Sequence, residues 1–109
     1  MSVKYRIAAE TGIVFMDIYG RNNIFKCTGI IDLKDFKFVQ QMGSWHSYSD
    51  RYKSGIYWQV RSDNGTTLGR YILGLKKGDK LQCHHIDRDS LNFRRSNLKI
   101  IIDRRRKEN

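Results

Sequence analysis

The carboxyl-terminal third of the chain contains two adjacent histidines, His84 and His85, followed by an acidic residue at Asp87. A neutral imidazole can accept a proton near pH 7, and a second one can bind a divalent metal ion through a ring nitrogen. Metal-assisted hydrolysis of a phosphodiester needs both groups, because water must lose a proton and the phosphate charge must be neutralised. The alternative is a pair of strand histidines without a ligand. Since adjacent side chains of a regular strand point to opposite faces, both can serve one site only where the strand ends, and the polar loop that begins at Asp87 supplies such an end.

The net charge of the chain is +10, and it is unevenly distributed. Residues 51–109 hold 15 Lys and Arg against 6 Asp and Glu, whereas residues 1–50 hold 6 against 5. A basic field of this kind attracts polyanions, because their binding releases condensed counterions. A solvated lysine-rich surface is the alternative, but arginines cluster at 94–95 and 104–106, and the guanidinium fork matches the geometry of phosphate. The charge pattern therefore predicts nucleic-acid binding.

Alternating apolar residues predict an antiparallel sheet of two or three strands within residues 3–30. The amphipathic and turn patterns predict the remaining elements. In chain order these are a helix over 32–43, a hairpin whose second strand is 55–62, a helix over 66–78, strands over 80–86 and 97–102, and a helix that begins at Asp103. The two cysteines, Cys27 and Cys83, form no CxxC pair, so we expect small buried hydrophobes in place of a disulfide framework or a four-cysteine zinc site.

The segment HHID at 84–87, followed by RRSNL at 94–98, resembles the HNH endonucleases, and in particular the small phage and homing-type members with a ββα-metal motif. The resemblance covers about residues 32–106. It implies an α+β fold in which an N-terminal antiparallel β-sheet and short helices precede a C-terminal ββα-metal motif. The whole chain would form one domain, with a β extension over 1–31, a helix-hairpin-helix scaffold over 32–78 and the HNH-like motif over 79–109.

The resemblance also implies roles for the polar residues of this segment. His85 would be the general base, Asn97 would hold the loop and orient that base, and His84 would be a metal ligand. The family's second metal ligand falls at Arg106, which cannot bind a divalent cation, so Asp103 is the proposed substitute on the same helical face, with Asn109 as the alternative. The implied ion is Mg²⁺ or Mn²⁺, with Zn²⁺ or Ni²⁺ as alternatives. Two further departures are Phe93, in place of an Asn, and Gly69, in place of a His.

The expected reaction is hydrolysis of duplex DNA. The alternative is a catalytically degenerate relative that binds DNA as a regulator or interfering factor, and a third reading is a protein-binding module whose basic face docks on an acidic partner. The predicted nucleic-acid contacts are Arg70, Arg94, Arg95, Lys99, Arg104, Arg105, Arg106 and Lys107. No apolar run approaches the ~20 residues that span a bilayer, and the amino terminus does not resemble a signal peptide, so we expect a cytoplasmic protein of phage or mobile-element origin with no membrane partner.

Overall fold

Three small antiparallel sheets make up about half of the structure, a computed structural model that describes residues 2–102. The first sheet has the order β1-β2-β3, the second pairs β4 with β5, and the third pairs β6 with β7. The strands are β1 (Ser2–Ala8), β2 (Ile13–Tyr19), β3 (Phe25–Asp32), β4 (Trp45–Tyr52), β5 (Gly55–Ser62), β6 (Leu81–His85) and β7 (Leu98–Ile102). Two α-helices lie between them, α1 (Phe36–Gln41) and α2 (Leu68–Leu73).

The predicted α+β fold class with a ββα-metal motif is wrong for this chain. Strands account for 50% of the structure and helices, with three 3-10 turns included, for 21%, and α1 and α2 have only six residues each. The segment expected as the first helix begins with a 3-10 turn, and the second helix ends at Gly74, whose φ of 71° is left-handed and stops the helix before the predicted end. The helix predicted from Asp103 lies outside the described residues.

The strand predictions within the first thirty residues are confirmed, because the alternation of the sequence matches the burial of the sheet. Val14, Met16 and Ile18 of β2 point into the core, and the intervening residues of that strand are half-buried. One core cluster draws buried residues from all three sheets and both helices. Trp45 connects two of these parts, since it is buried at the start of β4 and its Nε1 donates to the carbonyl oxygen of Val39 in α1, 2.9 Å away.

The loop between β6 and β7 is fastened to the first sheet. The amide of Ile30 in β3 donates to the carbonyl of Leu91 at 2.8 Å, and the amide of Phe93 donates to the carbonyl of Ile30 at 2.7 Å. The ring of Phe93 is buried and fills the space above Gly29, where an added Cβ would lie 3.3 Å from the ring. The loop backbone is therefore hydrogen-bonded to the edge of β3.

Two ion pairs reinforce this attachment. The Nε of Arg94 donates to Asp32 at 3.0 Å, and the guanidinium of Arg95 forms a two-pronged pair with the buried carboxylate of Asp35 at 3.0–3.1 Å. Arg95 also donates through Nη2 to the carbonyl of Ile72 in α2, 3.1 Å away. Because Asp35 is buried, its charge needs these partners, and the pair holds the loop against both helices.

We expect Phe93→Ala to lower the free energy of unfolding by about 3–5 kcal/mol, because it removes a buried ring from the joint between loop and sheet. Urea unfolding followed by circular dichroism measures this change. Phe25→Ala is the matched control, since Phe25 is half-exposed and loses mainly an edge-to-face contact with Tyr19, so its removal should cost only about 1 kcal/mol. Equal losses for the two variants would contradict the assigned role of Phe93.

Candidate active site

The candidate site is built around His85, the last residue of β6. The strand ends there because Arg88 donates its backbone N–H to the carbonyl of His85 at 3.0 Å, which closes a turn. The Nδ1 atom of His85 lies 3.0 Å from the carbonyl oxygen of Asn92, on the far side of the loop. A carbonyl oxygen can only accept a hydrogen bond, so this contact requires the proton on Nδ1 and leaves the lone pair of a neutral ring on Nε2.

Asn97 holds the same carbonyl from the other end of the loop. Its Nδ2 donates to the Asn92 oxygen at 3.0 Å and to Oδ1 of Asp87 at 2.8 Å, while its own Oδ1 accepts from the backbone N–H of Asp87 at 2.9 Å. The Asn97 side chain is buried, so each of these hydrogen bonds is costly to lose. The two residues expected to work together, His85 and Asn97, are thus joined through one backbone oxygen.

Asp87 completes the network as an acceptor. Its carboxylate accepts from Nδ2 of Asn92 at 3.0 Å and from the amide of Asp89 at 2.8 Å, in addition to the bond from Asn97. The hydrogen bond from Asn92, followed by the one from the Asp89 amide, lowers the pKa of Asp87, so the group stays ionised at neutral pH. Its carboxylate oxygens therefore hold the loop in shape through these hydrogen bonds.

His85 lines a cleft of about 320 Å³ between β5, the start of α2 and β6. Its Nδ1 is occupied by the Asn92 carbonyl and its Nε2 lies beside Gly69, another lining residue, so Nε2 faces the cleft. A Cβ added to Gly69 would lie 3.9 Å from this nitrogen and 2.6 Å from Sγ of Cys83, so glycine at this position brings α2 close to β6 and leaves room beside the ring. The polar groups of the opposite wall come from β5 and α2. Those that line the cleft are Tyr57, Gln59, Arg70 and Thr67, the residue that precedes α2.

The chemistry of the cleft favours an imidazole base over a thiolate. Burial, the largest effect, lowers the pKa of His85 below its ordinary value, so the ring is neutral at pH 7 and able to accept a proton. Burial raises the pKa of Cys83 to about 11, so this neighbouring thiol stays protonated. Both cysteines are free, as expected, although Cys83 is only half-buried.

His84 lies beside His85 at a second depression of about 330 Å³, which is also bordered by Tyr57 and Arg88. The end of β6 thus allows both histidines to border one space. His84 is exposed and pairs across the hairpin with Lys99. The ammonium of Lys99 would repel a cation at this position and attract a phosphate. Within residues 2–102 no group of three or more His, Cys, Asp or Glu side chains could hold a metal ion. The predicted ligand Asp103 lies outside the described residues, so the predicted metal site stays a prediction.

The predicted phosphate-binding arginines have protein partners where the structure describes them. Arg94 and Arg95 pair with Asp32 and Asp35, and Arg70 donates to Asp79 at 2.9 Å and to the carbonyls of Lys76 and Leu81. Lys99 is exposed on β7. The other predicted contacts, Arg104, Arg105, Arg106 and Lys107, lie beyond the described part of the chain.

Several residues of the site escaped sequence reasoning. Asn92 contributes through its backbone carbonyl, which no side-chain pattern reveals, and the sequence shows Phe93 only as a departure from the family's motif. The role of Gly69 depends on how closely α2 approaches β6. The spacing of Asp87 and Asn97 did contain a usable signal, since both flank a polar loop that must satisfy its own backbone.

No protein-family model matches the chain, and neither a curated protein nor a solved structure matches it. None of the helices within residues 2–102 has the length and apolar character needed to cross a membrane.

We expect stability to fall as pH drops from about 7 towards 5, in part because of His85. Its folded-state pKa lies below the unfolded value of about 6.5, so the unfolded chain takes up a proton first and is favoured as pH falls through this window. His85→Asn retains a donor near the Nδ1 position and cannot titrate, so the variant should lose less stability over the same range. Urea unfolding at pH 7.5 and pH 5 measures the difference. Identical losses for wild type and variant would contradict the assigned burial of a neutral ring.

Proposed function

We propose that this chain is a DNA endonuclease of the HNH type, in which His85 is the general base. The observation that carries the proposal is the fixed orientation of His85, with its Nδ1 held by the Asn92 carbonyl and its Nε2 open to the cleft. The lowered pKa of this residue supports the same role, because only the neutral ring can accept a proton. The HHID and RRSNL motifs support the family, and the charge of +10 supports a nucleic-acid substrate.

In the proposed step, a water molecule in the cleft gives a proton to Nε2 of His85 as its oxygen attacks phosphorus. A new P–O bond forms, the P–O bond to the leaving nucleoside breaks, and the leaving oxygen takes a proton from solvent. The imidazolium is then stabilised by its Nδ1–H bond to Asn92, since a charged donor makes the stronger hydrogen bond. Asn97 acts as a positioning residue, because it holds the carbonyl that orients the base.

A divalent cation is part of the proposal, since it would neutralise charge on the non-bridging phosphate oxygens. His84 is the candidate ligand within the described residues, and it borders the same depression as His85. Residues 2–102 do not supply three or more such ligands, so His84 would need ligands from elsewhere to hold the ion.

Arg106, which stands where the family has its second metal ligand, favours a second candidate function, a DNA-binding protein that does not cut. A basic chain that does not cut would still bind DNA through its phosphates. The two functions differ in one measurable property, which is the breakage of a phosphodiester bond.

We expect the protein to nick supercoiled plasmid DNA in the presence of Mg²⁺, Mn²⁺, Ni²⁺ or Zn²⁺, and His85→Asn to lose at least about 100-fold of this rate, the usual contribution of a general base. Agarose gels read the conversion of supercoiled to open-circular DNA. The rate should be independent of pH above about 6.5 and decline only below it, because the pKa of His85 lies under the ordinary value.

His46→Asn is the matched control, since His46 lies in β4 and outside the cleft. It should cut at the wild-type rate. Folded wild-type protein that leaves plasmid intact with all four ions would reject the endonuclease, and equal cutting by His85→Asn would reject the assigned base.

We expect duplex binding in EDTA to weaken by about 10³-fold between 50 and 200 mM salt, as for a protein that neutralises about six phosphates. Fluorescence anisotropy of a labelled duplex measures it. Salt-dependent binding without cleavage would select the second candidate, and a binding constant that does not change with salt would reject both.

A further inference from the structure

The first sheet has a second face that the candidate active site does not use. Residues of β1–β3 alternate between the core and solvent, and the solvent side of β1 and β2 carries Lys4 and Arg6 next to Phe15, Asp17 and Tyr19. The exposed Phe25 lies beside Tyr19 on the neighbouring strand β3, because the two residues are paired in the sheet. We call Lys4, Tyr19, Phe25 and Lys26 the aromatic end of this face.

The single carboxylate among these residues of β1 and β2 is already neutralised. Arg6 holds both oxygens of Asp17 at 2.6 and 2.9 Å, and Thr28 donates to the same group at 2.7 Å. These contacts, chiefly the hydrogen bond from Arg6, lower the pKa of Asp17. Arg6 also covers the ring of Phe15, 4.8 Å from its centroid. This half of the face is therefore closed by its own contacts.

The aromatic end is open. Tyr19 and Phe25 meet edge to face with ring centroids 5.7 Å apart, and Phe25 keeps 53% of its surface exposed. The ammonium of Lys4 lies 5.2 Å from the centroid of Tyr19. Lys26 folds its aliphatic stem over Gly20, where an added Cβ would lie 2.6 Å from Cε. No ion pair within residues 2–102 engages either lysine.

We propose that the aromatic end binds a nucleic-acid strand with unpaired bases. An exposed ring offers a π-face to any base, and lysines beside it reach the phosphates of the same strand. Charge complementarity selects this occupant, since neither lysine of the aromatic end forms an ion pair within residues 2–102, and Asp17, which lies across from Lys4, is neutralised by Arg6. Paired bases in a duplex are already stacked and would not present a free face to Phe25.

The proposal concerns binding alone and does not rest on the endonuclease. A chain that cuts duplex DNA and also has a surface for unpaired bases would retain one strand when the duplex opens. A chain that does not cut would still bind single strands through this surface.

The test measures anisotropy of labelled 12-nucleotide oligothymidylate, oligouridylate and a hairpin duplex, in EDTA so that cleavage does not contribute. We expect Phe25→Ala to weaken single-strand binding at least about fivefold, as loss of one stacked base requires. Phe25→Leu, which keeps apolar bulk without a ring, should weaken it nearly as much. Lys4→Gln and Lys26→Gln should each reduce the salt slope for the single strand by about 0.7.

Two controls separate this surface from general effects. Ile7→Ala removes an equally exposed apolar side chain from β1, and Lys37→Gln removes an exposed cation from α1. Both should stay within about twofold of wild type, the range of ordinary surface changes. Tighter binding of either oligonucleotide than of the duplex supports the proposal. Unchanged single-strand binding by Phe25→Ala, affinity for the duplex alone, or self-association through this surface in sedimentation would overturn it.

Discussion

The carbonyl oxygen of Asn92 is the point on which the candidate site depends. It accepts from Nδ1 of His85 and from Nδ2 of Asn97, so one backbone atom determines both the tautomer of the base and the shape of the loop. A backbone acceptor suits this role because it does not titrate and cannot rotate independently of the chain. The reactive nitrogen of His85 therefore faces the cleft as a consequence of loop geometry.

That loop geometry is supplied by a distant part of the chain. β3 provides Ile30, whose amide and carbonyl bind the loop backbone on either side of Asn92, and Phe93 seals the contact over Gly29. The first sheet is thus structural support for the site as well as a surface in its own right. The first sheet therefore supports the position of His85, because Ile30 holds the loop residues on either side of Asn92 and the Asn92 carbonyl holds the ring.

The high positive charge has two distinct uses in the fold. Some arginines bind carboxylates and carbonyls and so hold loops and helices together, as Arg70, Arg94 and Arg95 do. Arg6 neutralises Asp17. Lysines such as Lys4, Lys26 and Lys99 remain exposed. Guanidinium groups suit the first use because they bind two acceptors in a fixed geometry, whereas a lysine is a mobile point charge. Net charge therefore predicts an anionic partner, but it does not predict which lysines and arginines would contact that partner.

The sequence by itself determined the strands, the hairpin between β6 and β7, and the grouping of His84, His85 and Asn97 at its loop, because alternation and turn residues act over short distances. It overestimated the helices, since apolar spacing over 32–43 and 66–78 does not reveal where glycines and 3-10 turns end them. Only the tertiary structure decided that Arg94 and Arg95 pair with acids about sixty residues away and that Phe93 docks on Gly29. Such contacts join segments that are far apart in the chain, and a local pattern cannot specify which distant group will satisfy a buried charge or fill a gap in the core.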